Sequence, residues 1–559
     1  MPYTNLNMRP VILISVVMLC SISCDFLFRN TSEADKIDQS LIDPYDMNSN
    51  YLDSIKLHEY TRQYPFLQMY HPEIQKFYSR RNYQCVWFNN LGLIEQGSLF
   101  INLMQSSKLE LTDSINGLSQ IVLFHNQIVN DSITGNEVRL MDVLLTNAFL
   151  EYADKKWIGL RDSSVKELGW YIKRKRLVST ELLDSITANP SFFSYYKPLN
   201  KQYELLRQYL VRLKTIEVSG GLPYIDTLQK AYRKGDTGLV IKNIRAWLYR
   251  SGFFMEHDST NNRFDDALFQ SVKLAQHCMG LKEDGVVGKS LIKQMNVSLN
   301  QRMQQILINL ERLRWVEDSD TGKHIVINIP RYKLYAYHNV TLDWECNVVV
   351  GTTRTKTSIF NGNIRYVVLN PYWNVPNSIL FNEIIPAYRK DKNYFVKHNM
   401  EVLLGKSSVN PADIKWSDFN EKNCPYMVRQ LPGKDNPLGV VKFLFPNTYN
   451  IYLHDSPAKQ YFDRQNRTFS HGCIRVGEPL ALMQWVLQDE KQITPDRIQS
   501  IFETGKETYL NLKQGIPVTI AYYTAWIDEN GYINYTDDVY KLDEAMKNIL
   551  FLDGIKPFR

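Results

Sequence analysis

The chain has 559 residues, 44% hydrophobic and 12% aromatic, and a formal net charge of +6. Such a composition folds, and the length is too great for one core, so about three domains are expected. The mild positive charge permits contact with an anionic polymer. With no nucleic-acid motif in view, nothing points to DNA or RNA as a partner.

At the N-terminus, Arg9 precedes an apolar run from Val11 to Leu19, and Ser21 and Ser23 lead to Cys24. The run is shorter than the roughly 20 residues of a membrane span, so residues 1–24 read as an export signal. Ser21-Ile22-Ser23 fits small-x-small cleavage. Ser23-Cys24 also resembles a lipoprotein site, although Ser21 stands where such signals carry an aliphatic residue. The cysteine lies where the apolar run gives way to a polar stretch, which favours lipidation of Cys24 and a membrane anchor. Either route leads to the periplasm or cell envelope. Residues 25–50, rich in Asn, Asp and Ser, read as a tether.

From 51 to 220 the pattern is helical and carries no catalytic constellation. Leu144, Leu145, Ala148, Phe149 and Tyr152 recur at spacings of three and four, which predicts a buried stripe in a helical scaffold. The basic run Lys173-Arg174-Lys175-Arg176 reads as a solvated helix face. Between 225 and 300 three short helices are expected. The first has an apolar face of Val240, Ile244, Trp247 and Leu248 and is stopped by Gly252; the second runs through Leu268, Val272 and Ala275; the third follows Glu283-Asp284-Gly285 and Gly288 through Leu291. This unit resembles the peptidoglycan-binding domain of cell-wall enzymes, with a plain helical spacer as the alternative. A linker helix through Leu307, Leu310 and Leu313 fills 301–322.

Strand periodicity then takes over. Ile325, Ile327 and Ile329 alternate, and β-rich runs follow at Val348–Gly351, Tyr366–Leu369, Val440–Phe443 and Ile451–His454. Asn530-Gly531 between two strand-like segments is a hairpin signal. Residues 323–540 thus read as a β-rich domain, interrupted at about 376–436 by an insertion or lid. Residues 541–559 form a helical tail. The fold class expected is multi-domain α+β.

Of the seven cysteines, Cys85, Cys278, Cys346 and Cys424 are scattered with no C-x-x-C, so a zinc site is not expected. They read as small buried apolar residues, with a disulfide left open in an oxidising compartment. Cys473 alone has a histidine-rich setting, in Ser470-His471-Gly472-Cys473-Ile474-Arg475, with Tyr452-Leu453-His454-Asp455-Ser456-Pro457 upstream. A thiolate nucleophile needs a base, a close-fitting backbone and a group that orients substrate, and these two stretches offer all three. His454 ends a strand and is the candidate base; it would raise the thiolate fraction of Cys473. His471 has a supporting role. Gly472 permits close backbone approach, and the N–H groups of Gly472 and Cys473 are natural oxyanion donors. Arg475 is suited to hold a carboxylate, with a surface ion pair as the alternative.

These two stretches, with Asn370–Pro376, Arg429–Gly433, Asn436–Gly439 and Lys442-Phe443, are similar to the L,D-transpeptidase family, in particular its large periplasmic members with a scaffold, a peptidoglycan-binding domain and a capping insertion. The resemblance runs from about 60 to 540 and is most specific at the Ser-His-Gly-Cys motif. It implies an acyl transfer in which Cys473 attacks a diamino-acid carbonyl in a tetrapeptide stem, expels D-alanine and forms a thioester. A stem amine then resolves the thioester into a 3→3 cross-link. It also implies Ser470, Tyr372 and Trp373 as substrate-side residues, core packing being the alternative for the last two. Stem peptides and carbapenem-type β-lactams follow as partners, and no cofactor is required. The same thioester serves an L,D-carboxypeptidase or protein attachment to the wall equally well. A non-catalytic wall-binding scaffold predicts a damaged His/Cys pair, whereas the pair is intact. A papain-like protease is disfavoured, since its cysteine precedes its histidine.

Overall fold

The computed structural model of the chain describes residues 50–551, apart from 108–114, 131–132, 175–176, 190, 193–198, 227–230, 255–259 and 317–320. The export signal, Cys24 and almost all of the tether expected from the sequence, with residues 552–559 of the tail, lie outside the described residues.

The first core extends from Leu52 to Phe192. It carries one small hairpin, β1 (Phe88–Asn89) and β2 (Gly92–Leu93). Its central helix, Gly135–Ala153, begins with a capping box in which Thr134 and Glu137 satisfy each other's backbone N–H groups. The expected stripe is there, but the helix is buried on every side from Leu140 to Ala153. Asp142 within it accepts from the Tyr78 hydroxyl (2.5 Å) and from the N–H groups of Val86 (3.0 Å) and Trp87 (2.8 Å), which ties two segments together.

The scaffold expected over 51–220 is divided differently. Helix Lys201–Val218 packs through Leu206, Leu210 and Leu213 into a second core, with the three helices Leu239–Ser251, Asp266–Cys278 and Lys289–Met295. Gly252, at φ +87°, ends the first of these, a left-handed cap that only glycine adopts at low cost. The helix read as a linker, Leu299–Arg314, is a wall shared by two cores. Ile306, Leu310 and Leu313 face the helical unit, whereas Ile308 and the following Trp315 enter the β-domain. Arg174 also departs from its reading. It is not helical, and its guanidinium donates to the carbonyls of Ile158 (2.7 Å) and Leu160 (2.6 Å) and pairs with Asp162.

In chain order the strands continue as β3 (Lys323–Asn328), β4 (Lys333–His338), β5 (Thr341–Gly351) and β6 (Asn361–Leu369). Next come β7 (Trp373–Asn374), β8 (Met400–Leu404), β9 (Ser407–Val409) and β10 (Tyr426–Gln430). The last set is β11 (Val441–Leu444), β12 (Leu453–His454), β13 (Thr468–Ser470), β14 (Ile474–Val476), β15 (Thr508–Ala521), β16 (Ala525–Ile527) and β17 (Ile533–Tyr535). Nine strands form one sheet in the order β13-β5-β14-β12-β11-β6-β15-β3-β4, and β4 pairs with β5 as well, so the sheet curls round to meet itself. Alternate residues such as Ile325, Ile327, Val367, Phe443, Leu453 and Ile474 point inward and are fully buried. Each contributes roughly 1.5–3 kcal/mol by leaving water.

The insertion folds as a lid with a core of its own. Strands β7-β10-β8-β9 form a second sheet, on which Leu380, Ile384, Tyr388, Phe395, Trp416 and Val428 pack. The Asn530-Gly531 hairpin forms as β16 and β17. Its apolar residues Ala525, Ile527, Ile533 and Tyr535 join the helical core, so the β-domain expected to reach 540 gives this hairpin to its neighbour. Helix Leu542–Phe551 then returns to the barrel core through Met546 and Leu550. Cys85, Cys278 and Cys346 are buried and Cys424 partly so, and Cys278, Cys346 and Cys424 are free thiols. Burial pushes the thiols of Cys278 and Cys346 up to about 12, which leaves them inert.

Candidate active site

Strands β12 and β14 lie side by side and parallel, with Leu453 opposite Ile474 and His454 opposite Arg475. Leu453 and Ile474 face the core, so strand alternation sends Tyr452, His454, Cys473 and Arg475 to the outer face together. The Tyr452 and His454 rings are 5.6 Å apart between centroids. Two stretches separate in sequence thereby become one surface.

His454 is only 5% exposed. Its Nδ1 lies 2.5 Å from the Asp455 carbonyl oxygen, which can only accept, so Nδ1 carries the proton and Nε2 is left with the lone pair. Burial, helped by the Arg475 cation, lowers the imidazole to about 4, against the pull of the Asp455 and Pro437 carbonyls toward the charged form. It is a neutral base near pH 7. Asp455 is itself pinned. Its carboxylate accepts from the N–H groups of Val440 (3.0 Å) and Ser456 (2.6 Å) and from Lys459 (2.6 Å). It also fills the space beside Gly439, where a Cβ would come within 2.1 Å of Oδ2 at φ +60°. Gly439 of the Asn436–Gly439 run thus leaves room for the Asp455 carboxylate beside His454.

The Cys473 thiol hydrogen-bonds to the Asn450 carbonyl at 3.6 Å. Burial raises it, although the Tyr452 N–H and hydroxyl and the Arg475 cation favour the thiolate. Burial thus favours the neutral thiol at rest, whereas the sequence reading has a nearby imidazole raising the thiolate fraction. The reading of Ser470 is corrected. It is 2% exposed, donates to the Cys473 carbonyl (2.5 Å) and accepts from the Gly472 N–H (3.2 Å), so it braces the turn instead of facing substrate. That bond occupies one of the two expected oxyanion donors. Among the described residues the Cys473 N–H has no partner and is the remaining donor. Gly472 sits at φ +120°, a conformation that L side chains rarely adopt.

Sequence reasoning missed the loop that grips this turn. Thr357 donates its hydroxyl to the Gly472 carbonyl (2.8 Å) and accepts from the Gly351 N–H (2.9 Å). The Ser470 carbonyl accepts from the Thr352 N–H (3.0 Å) and the Thr355 hydroxyl (3.1 Å). Tyr540, from the end of the chain, donates to the Gly351 carbonyl at 2.6 Å. Nothing local marks these residues; only the dense Thr352–Thr357 run hints at a hydroxyl-rich loop.

Arg475 is partly buried, its Nε enclosed without a hydrogen-bond partner, and among the described residues it makes no ion pair. A guanidinium beside Cys473 with no carboxylate of its own suits an anionic ligand. His471, by contrast, is 58% exposed at its side chain and turns to the lid, with Nε2 3.3 Å from Glu383 Oε1. Tyr372 and Trp373 stand at the lid's neck. The Tyr372 N–H donates to Glu507 (3.0 Å) and its ring lies under Arg429 (4.2 Å), while Trp373 pairs with Gln430 and packs on the lid core.

Comparison with known proteins agrees with this architecture. Residues 322–520 match the family model described as "L,D-transpeptidase catalytic domain", 72–210 a "Scaffold domain", and 237–295 a "Putative peptidoglycan binding domain". A curated protein of Haemophilus influenzae named "Putative L,D-transpeptidase" is 28% identical over 484 residues, covering 82% of this chain and 94% of that protein. Residues 322–520 thus match an L,D-transpeptidase catalytic domain, within a multi-domain α+β organisation in which helical units precede this β-rich domain. Solved L,D-transpeptidase structures are also similar. One from Xylanimonas cellulosilytica has 15% identity and a TM-score of 0.18, covering 53% of this chain and 100% of that one. One from Stackebrandtia nassauensis has 12% identity and a TM-score of 0.22, covering 54% and 96%.

Proposed function

We propose that this protein is an L,D-transpeptidase that forms 3→3 peptidoglycan cross-links through a thioester on Cys473. The observation that carries the reading is the β12–β14 register, which gives a neutral histidine, a thiol and an unpaired guanidinium one common face. In the first step the thiol proton rotates from the Asn450 carbonyl toward His454 Nε2, and sulfur attacks the carbonyl of the diamino acid. The Cys473 N–H holds the oxyanion, and the imidazolium returns its proton to the departing D-alanine amine. Arg475 holds a stem carboxylate. In the second step an amine of a neighbouring stem replaces sulfur. No cofactor takes part in this scheme.

The protein is proposed to act in the periplasm, anchored through lipidated Cys24, with the three-helix unit holding the wall near the site. Carbapenem-type β-lactams would acylate the same thiol. Purified protein mixed with defined tetrapeptide muropeptides and resolved by mass spectrometry tests the reaction. Cross-linked dimers are expected. Tripeptides alone would make it a carboxypeptidase, transfer to a protein amine a wall-attachment enzyme, and no turnover a scaffold.

A further inference from the structure

The lid reaches the nucleophile loop at one acidic side chain. Glu383 lies in the lid helix that begins at Asn377, in a π-helical stretch, Leu380–Ile384. Such extra-residue turns re-aim side chains and recur at functional sites. Leu380 and Ile384 are buried in the lid core, 0% and 2% exposed. Glu383 between them points out, 57% exposed at its side chain, and meets His471 Nε2 at 3.3 Å. His471 belongs to the turn that presents Cys473, and that turn is clamped from beneath by Thr355 and Thr357. A carboxylate and an imidazole, both open to solvent, therefore meet where the lid reaches the turn that presents Cys473. Arg475 and His454 lie on the sheet side. Arg475 gives the sheet side a cation, and Glu383 gives the lid side a carboxylate.

We infer that Glu383, carried on the lid and paired with His471, is the docking residue for the cationic amine of the acyl acceptor. This rests on the transpeptidase reading and adds to it the group that chooses an amine over water. The acceptor arrives as R–NH3+ and its ammonium replaces His471 at the Glu383 carboxylate. One proton passes to the Glu383–His471 pair and on to water. The freed lone pair forms the C–N bond as the thioester C–S bond breaks. The second proton moves from nitrogen through His454 to the departing sulfur, which restores the Cys473 thiol. Glu383 is thus a specificity-determining residue, and His471 supports it, which accounts for the contact of His471 with the lid.

The test separates acylation from transfer. Unaltered protein and E383Q are acylated with a tetrapeptide stem, the acyl-enzyme is quantified by intact mass, and each is offered either a stem-peptide amine or hydroxylamine, which is neutral near pH 7. Per acyl-enzyme, E383Q is expected to lose about tenfold in transfer to the amine, the loss of one charge-assisted contact, and to hydrolyse more of its thioester to tripeptide. Transfer to hydroxylamine is expected to fall far less, and E383D to recover part of the amine transfer. Equal losses with both nucleophiles, or no loss with either, would overturn the inference. Failure of the unaltered protein to form an acyl-enzyme would instead remove the transpeptidase reading, and the inference with it.

Discussion

At the scale of residues, the site separates its tasks by burial. His454 is held neutral by burial and by the Arg475 cation, and burial keeps Cys473 a thiol, so neither is charged at rest. The lowered imidazole has a consequence for stability. An unfolded histidine takes up a proton near pH 6.5, whereas the folded one waits until about 4. Between these values the unfolded chain binds more protons, so folding stability falls as pH drops through that window, by at most about 1.4 kcal/mol per pH unit. Urea unfolding between pH 7 and pH 4 should therefore show a shallower loss in His454→Gln; an unchanged slope would contradict the account. The raised thiol predicts that alkylation of Cys473 by iodoacetamide keeps accelerating beyond the ordinary thiol value of about 8.5, and a plateau near neutrality would contradict it. Cys473 and His454 were legible in the sequence because their motifs are local. Tyr452 shares the strand parity of His454 and was within reach. The bracing role of Ser470 and the occupied Gly472 N–H were not legible, because sequence gives no sign that the Ser470 hydroxyl would bond the Gly472 N–H and the Cys473 carbonyl of the same turn.

At the scale of elements, the turn that carries Cys473 depends on a loop more than a hundred residues upstream. Thr357 is 2% exposed and bridges the Gly472 carbonyl and the Gly351 N–H. Thr357→Val keeps the shape and removes both bonds, leaving buried polar groups unpaired. We expect it to lower stability by about 1–3 kcal/mol and to slow Cys473 acylation by a larger factor than His471→Ala does. Thermal unfolding with timed acylation measures both, and full activity in a destabilised protein would assign Thr357 a purely structural part. The hairpin at Asn530-Gly531 and the stop at Gly252 were readable because turn chemistry is written in a few adjacent residues. The destination of the hairpin was not. Its apolar face fits any core, and only the tertiary fold sends Ala525, Ile527 and Ile533 to the helical unit.

At the scale of the molecule, helix Leu299–Arg314 couples the helical unit to the catalytic barrel. Asn309 in it exchanges hydrogen bonds with Thr524 (2.8 and 3.0 Å), Thr524 donates to Asp543 (2.6 Å), and Arg312 pairs with Asp543 (2.6 Å). Three chain segments meet there in a buried network. Leu310→Ala, which empties part of the helical core, should cost about 2–5 kcal/mol and lower the unfolding midpoint of the barrel as well. Two separated transitions, with the barrel unmoved, would contradict the coupling. A linker was the natural reading of this helix, since charged and apolar residues alternate along it and its two buried faces serve different partners. The central claim is that Cys473 is the nucleophile and His454 its base. It is tested most directly by carbapenem acylation followed by peptide mapping, in the unaltered protein, Cys473→Ala and His454→Gln. The account predicts one adduct on Cys473, none in Cys473→Ala, and acylation slowed by about a hundredfold or more in His454→Gln. An adduct that survives Cys473→Ala, or an undiminished rate without His454, would contradict it.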